Sequence, residues 1–67
     1  MKVTINGKEE QLTVEGLSIL EWVVEKGLQP QQLVIEHNGQ VIEQEQWSHI
    51  TLKENDQLEV LRFVGGG

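Results

Sequence analysis

Sixty-seven residues without a cysteine make one small domain, near the size at which a hydrophobic core supports itself, and exclude a disulfide, a thiolate nucleophile or a zinc–thiolate centre. Eleven acidic residues against five basic ones give a net charge of −6, which argues against nucleic-acid binding and suits a solubilising surface or a partner with a basic face. No apolar run approaches the roughly 20 residues that cross a bilayer, and Met1-Lys2-Val3-Thr4 does not read as a signal peptide, so a cytoplasmic location with no membrane partner is expected.

The first segment predicts a β-hairpin. Val3 and Ile5 alternate with polar residues, and Asn6-Gly7 supplies a dipeptide that tolerates positive φ at both central turn positions. A two-residue turn there pairs Ile5 with Lys8 and Val3 with Glu10. Continuing the register places Leu12 and Val14 on the face of Val3 and Ile5.

A helix follows. Ser18 and Glu21 form a capping box, with Leu17 positioned to staple onto the first turn. Ile19, Leu20, Val23 and Val24 give one apolar stripe, which leaves Trp22 at the helix edge rather than at the core centre. Gly27 suits the position just past the helix end, and Pro30 prevents continuation.

A second hairpin is predicted in Leu33 to His37, Asn38-Gly39 and Gln40 to Ile42, pairing His37 with Gln40 and Ile35 with Ile42. Leu33, Ile35 and Ile42 then share one face, and Val34 and Val41 the other. Residues 43–49 lack strand alternation and read as one helical turn anchored by Trp47. Ile50 and Leu52 belong to a short strand or its approach. Lys53-Glu54-Asn55-Asp56 marks a turn in which Asn55 adopts the left-handed conformation.

The last strand is expected over 57–64. Leu58 and Val60 take one face and Leu61 and Phe63 the other. With Leu58 and Val60 against the helix, Leu61 and Phe63 join Val34 and Val41 on the uncovered side as a candidate partner-docking patch. The expected fold is an α+β β-grasp: a mixed sheet of four to five strands, one helix packed on one face, and the last strand returning beside the first. Residues 1–63 form that domain and 64–67 a flexible glycine tail.

Catalytic apparatus is not evident. No serine–histidine–acid set is visible, His37 lies beside a turn and His49 is isolated, so neither histidine has metal-ligand spacing. The two Asn-Gly pairs are structural turns rather than phosphate loops. The group worth activating is the carboxylate at the end of Val64-Gly65-Gly66-Gly67. Condensation with ATP would convert that poor electrophile into an acyl-adenylate, using machinery supplied by a partner. Glycines let the tail thread a narrow channel, and four extended residues reach roughly 13 Å.

Length, element order and the ending Leu61-Arg62-Phe63-Val64-Gly65-Gly66-Gly67 resemble the thiamine-biosynthesis sulfur carrier (ThiS) family of ubiquitin-like β-grasp proteins. Val3-Thr4-Ile5-Asn6-Gly7 and His37-Asn38-Gly39-Gln40-Val41-Ile42 followed by Trp47 carry the resemblance further. It implies a carrier rather than an enzyme, with no cofactor of its own. An E1-like partner, using ATP and magnesium, adenylates the Gly67 carboxylate, which a sulfur-donor protein helps convert to a thiocarboxylate. Thiazole synthase then receives the sulfur, with Val64, Gly65, Gly66 and Gly67 entering the partner's site. Glu43-Gln44 stands where relatives often hold proline and arginine, and Asn55-Asp56 where Gly-Asp is common. A molybdopterin-type sulfur carrier, a lysine-linked modifier and a non-covalent interaction domain with an incidental glycine tail are the alternatives. Compact length favours the thiamine branch over the molybdopterin one.

Overall fold

A computed structural model describes residues 1–63; the expected tail, 64–67, lies outside the described residues. Strands β1 (Lys2–Ile5) and β2 (Lys8–Gln11) pair antiparallel in the anticipated register, Ile5 opposite Lys8 and Val3 opposite Glu10. Asn6 (φ 52°) and Gly7 (φ 82°) both take positive φ, as a two-residue hairpin turn with the right twist requires. Leu12 is buried as expected, but Val14 is exposed. The last backbone bond of the hairpin runs from Leu12 N–H to Met1 O at 2.7 Å. Past it the chain bends, with Gly16 at φ 80°, so the alternation has no ladder left to follow.

Helix α1 (Ile19–Glu25) starts at a complete capping box. The Glu21 N–H donates to Ser18 Oγ at 3.0 Å, and the Ser18 N–H donates to Glu21 Oε1 at 2.8 Å. It ends in a Schellman motif: Leu28 N–H reaches Val23 O, Gly27 N–H reaches Val24 O, and Gly27 sits at φ 74°. The buried stripe differs from the expected one. Ile19, Trp22 and Val23 are buried, Leu20 is partly buried, and Val24 is 63% exposed. At about 100° per residue, positions 19, 22 and 23 fall within one face, while position 24 rotates out of it. Trp22 is therefore a core residue, not an edge cover.

A single 3₁₀ turn, Pro30–Gln32, leads into β3 (Leu33–His37) and β4 (Gln40–Ile42), joined through Asn38 (φ 51°) and Gly39 (φ 87°). Their register matches the expectation, with Ile35 opposite Ile42 and His37 opposite Gln40. A longer 3₁₀ stretch, Gln44–His49, buries Trp47, whose Nε1–H donates to Ile42 O at 3.1 Å. Ile50 to Leu52 form an approach rather than a full strand. A lone bridge joins Ser18 to Thr51, with bonds from Ile19 N–H to Ile50 O and from Leu52 N–H to Leu17 O.

Strand β5 (Gln57–Arg62) completes a five-stranded sheet in the order β2-β1-β5-β3-β4. It runs parallel to β1 and antiparallel to β3, so the last strand lies beside the first in a mixed sheet. It is shorter than the expected 57–64, although Phe63 N–H still bonds Gln32 O at 3.0 Å. Val3, Leu33, Ile35 and Leu58 from one sheet face meet Ile19, Trp22 and Val23 of α1, with Trp47 and Leu52 closing the core. Each such fully buried side chain stabilises the fold by about 1.5–3 kcal/mol relative to exposure.

Candidate docking face and tail root

Alternation along β5 separates two jobs. Leu58 is buried and Val60 packs against the core, while Leu61 (58% exposed) and Phe63 (49%) point away. Val34 (36% exposed) stands directly opposite Leu61 in the β3–β5 ladder. Val41 (65%) lies on β4 opposite Glu36, one residue pair further along. The structure thus brings all four expected residues to the uncovered sheet face. They gather near the end of the strand from which the tail departs.

Charge surrounds that patch. Glu36 on β3 faces Glu59 on β5 directly, two ladder positions from Val34–Leu61 and therefore the next pair on the same face. Like charges directly opposite across strands are destabilising, by roughly 0.2–1 kcal/mol. The open face therefore presents aliphatic and aromatic surface at the tail end and an anionic pair just behind it.

Three polar arrangements were not anticipated from sequence. Asp56 is buried in the turn before β5, and its carboxylate accepts from His37 Nε2–H (2.9 Å), Asn38 Nδ2–H (3.1 Å) and Lys53 N–H (2.9 Å). Burial alone would push this carboxyl up, but the hydrogen bonds from His37, Asn38 and Lys53 together outweigh it. The net effect holds Asp56 below its ordinary value. His37 is thus a structural donor rather than a surface histidine. The hairpin register puts His37 at the end of β3, but its place beside the start of β5 comes only from the sheet order.

The second arrangement is the pair of turn asparagines, whose carboxamides reach β5. Asn6 Oδ1 accepts from Val60 N–H at 2.7 Å, and Asn38 Oδ1 accepts from Gln57 N–H at 2.9 Å. The third joins α1 to β2: Glu10 Oε1 receives Lys26 Nζ at 2.7 Å and Trp22 Nε1–H at 3.3 Å. On the helix side, a groove of about 390 Å³ runs between Trp22, Leu28, Leu33 and Val60, with Lys26 and Arg62 at its rim. Among the described residues, no group of three or more metal-ligating side chains converges. No helix among them is long and apolar enough to cross a membrane. The four tail residues singled out from sequence, Val64, Gly65, Gly66 and Gly67, lie outside the described residues.

A mixed five-stranded sheet clasping one helix, with the last strand between the first and third, defines a ubiquitin-like β-grasp domain. The ThiS family model matches residues 3–67, and the chain belongs to that family. The crystal structure of a thiamine biosynthesis protein (ThiS) from Geobacter metallireducens superposes with a TM-score of 0.86, at 35% identity over the full length of both chains. The sulfur carrier protein ThiS of Bacillus subtilis is 27% identical over 94% of this chain and 96% of its own. A thiazole synthase of Magnetococcus marinus is 34% identical over all of this chain, and one of Paramagnetospirillum magneticum is 30% identical. The chain spans 20% of the length of each of these two synthases.

Proposed function

We propose that the chain is a sulfur carrier whose terminal glycine, Gly67, cycles between carboxylate and thiocarboxylate to feed thiazole formation in thiamine biosynthesis. The supporting observation is the extent of the family match, which runs through the whole glycine tail to residue 67. The described residues offer a candidate address for partners, an apolar patch of Val34, Val41, Leu61 and Phe63.

In this reading a Gly67 carboxylate oxygen attacks the α-phosphorus of ATP on an E1-like partner, and pyrophosphate leaves. The terminal sulfur of a donor protein's persulfide then attacks the carboxyl carbon and expels AMP, and a thiol cleaves the S–S bond of the resulting acyl disulfide, freeing the thiocarboxylate and leaving a disulfide with the donor. Carboxylates resist nucleophiles because resonance and charge repel them, and adenylation supplies the leaving group. Magnesium and ATP belong to the activating partner. Similarity to a segment of two thiazole synthases supports that class of enzyme as the acceptor. The anionic Glu36–Glu59 pair behind the patch suits partner surfaces that place a cation beside an apolar contact.

Co-expression with an adenylating partner and a sulfur source, followed by intact mass, tests the proposal. Replacement of one oxygen by sulfur adds about 16 Da, and deletion of Gly67 is expected to abolish that gain without altering the fold. Loading that survives the deletion would show that another atom receives the sulfur. An unmodified chain under the same conditions would favour a non-covalent binding domain.

A further inference from the structure

Asn6 and Asn38 each open a two-residue Asn-Gly turn with φ near 50°, at 52° and 51°. Neither side chain serves only its own hairpin. Asn6 clasps one residue of β5 at two points, Oδ1 accepting from Val60 N–H at 2.7 Å and Nδ2–H donating to Val60 O at 3.2 Å. Its main-chain N–H also reaches Leu58 O at 2.9 Å. On the opposite side of β5, Asn38 Oδ1 accepts from Gln57 N–H at 2.9 Å, and Asn38 N–H donates to Gln57 O at 2.8 Å. Its Nδ2–H donates to Asp56 Oδ1 at 3.1 Å. The two carboxamides extend the ladders on either side of β5 just where β1 and β3 turn away.

We propose that both Asn-Gly turns are sites of spontaneous deamidation, and that conversion of Asn38 to the aspartyl form unlatches β5 whereas the same conversion at Asn6 leaves it held. The inference is independent of any chemistry at the tail. In each turn the backbone nitrogen of the glycine attacks Cγ of the asparagine. The N–Cγ bond forms, the Cγ–Nδ2 bond breaks, and ammonia departs with the amide proton. Water opens the resulting succinimide at either carbonyl, giving aspartate or isoaspartate, so the net change is water for ammonia. Glycine permits the attack because no side chain crowds its nitrogen, and a Cβ at Gly7 or Gly39 would meet nothing within 4 Å. The carboxamides must leave β5 before Cγ can rotate into reach, so the rate in the folded protein follows local opening of the latch.

The products differ in what they meet. At position 6 one carboxylate oxygen still accepts from Val60 N–H, now as a charge-assisted bond, while the other replaces the donor to Val60 O and faces a neutral carbonyl rather than a second charge. At position 38 an oxygen likewise still accepts from Gln57 N–H, but the atom exchanged is the donor that contacts Asp56, so the new carboxylate is set against the buried Asp56 carboxylate. The titratable groups facing that point are Asp56 itself and His37, whose Nε2 lies 2.9 Å from the other Asp56 oxygen and 3.4 Å from Asn38 Nδ2; Lys53 contributes its backbone N–H. An isoaspartyl residue adds a main-chain atom and breaks the latch at either turn.

The intact protein held at mildly alkaline pH, folded or in urea, is to be mapped by peptide mass spectrometry that separates aspartyl from isoaspartyl products. Both turns are expected to convert, at least about tenfold more slowly when folded. Absence of folded-state conversion at Asn38, while the unfolded chain converts, would overturn the proposal. N6D and N38D then isolate the aspartyl products. Amide hydrogen exchange at Gln57 and Leu58 is expected to accelerate by more than about tenfold in N38D and by less than about threefold in N6D. Equal effects in the two variants would refute the asymmetry. Two facing carboxylates bind their first proton above the ordinary carboxylate range, so N38D is expected to regain protection as pH is lowered toward that range. If N38D is unfolded at neutral pH, refolding on mild acidification that is absent from N38A decides for the proposal, and its failure decides against.

Discussion

Replacing Asp56 with alanine removes the acceptor that three donors share, from His37, Asn38 and the Lys53 backbone. A hydrogen bond to a charged group contributes about 1.5–3 kcal/mol, while the variant avoids the cost of burying a carboxylate and water reaches some of the freed donors, so a net loss of about 2–4 kcal/mol is expected. A domain of 67 residues has roughly 3–10 kcal/mol in total, so the variant is expected to be marginal. In urea, with a slope near 1 kcal/mol/M for a small domain, the midpoint is expected to fall by about 2–4 M. The pH profile adds a second signature. Because the folded-state carboxyl lies below its unfolded value, its stabilisation is complete above about pH 4 and is lost as pH falls through the folded value. Urea melts of the parent protein across the acid range are expected to show that decline, and those of D56A to lack Asp56's share of it. A variant within about 0.5 kcal/mol of the parent, with an unchanged acid limb, would refute the latching role.

Leu61→Asp and Phe63→Asp are expected to change stability by less than about 0.5 kcal/mol, since both side chains are exposed, while raising KM for the adenylating partner with kcat preserved. Global unfolding by calorimetry would place them in the core instead. Gly27→Ala is expected to cost about 1–2 kcal/mol by thermal melt: the position requires φ 74°, although the added methyl meets open space. Glu59→Gln is expected to stabilise the isolated domain by about 0.2–1 kcal/mol by relieving the facing Glu36. The same change is expected to weaken association with a basic partner surface, measured as reduced salt dependence of the on-rate.

Local signals read well where chemistry and periodicity agreed. Asn-Gly at both hairpins set the turn and therefore the register, and Ser18 with Glu21 set the helix start. The glycine at position 27 and the left-handed Asn55 followed from the same backbone sterics. The misses arose where two patterns competed. Ile19, Leu20, Val23 and Val24 form an apolar stripe attractive enough to hide the i, i+3, i+4 set that includes Trp22, which lies off that stripe. In the fold its indole nitrogen is satisfied by Glu10 across the helix–sheet junction. Val14 continued an alternation whose ladder had already ended at Leu12. The Asp56 network and the asparagine latches are tertiary: each depends on β5 lying between β1 and β3, a placement no local window contains. The shared exposed face was legible because parity alone carries Leu61 and Phe63 to the side opposite Leu58. The tail itself was legible only as composition and resemblance.

On the proposed carrier reading, the placement of β5 also accounts for how the chain would present its end to partner enzymes. A carrier that visits more than one active site gains nothing from an address on one element and a reactive atom on another, since any hinge between them adds freedom that binding must remove. Here the address and the root of the tail share one strand. Leu58 fixes that strand in the core, main-chain ladders hold both its edges, and Asn6 and Asn38 secure the points where those ladders stop. Leu61 and Phe63 then stand within the last three described residues, so only three residues of sequence, 64–66, separate Phe63 from Gly67. At roughly 13 Å of extended reach, a partner that grips the patch has already confined the terminal carboxylate to the mouth of its own cleft. Stability and delivery thus use opposite faces of one strand, which is why substitutions at Leu58 and Leu61, three residues apart, are expected to fail in different assays.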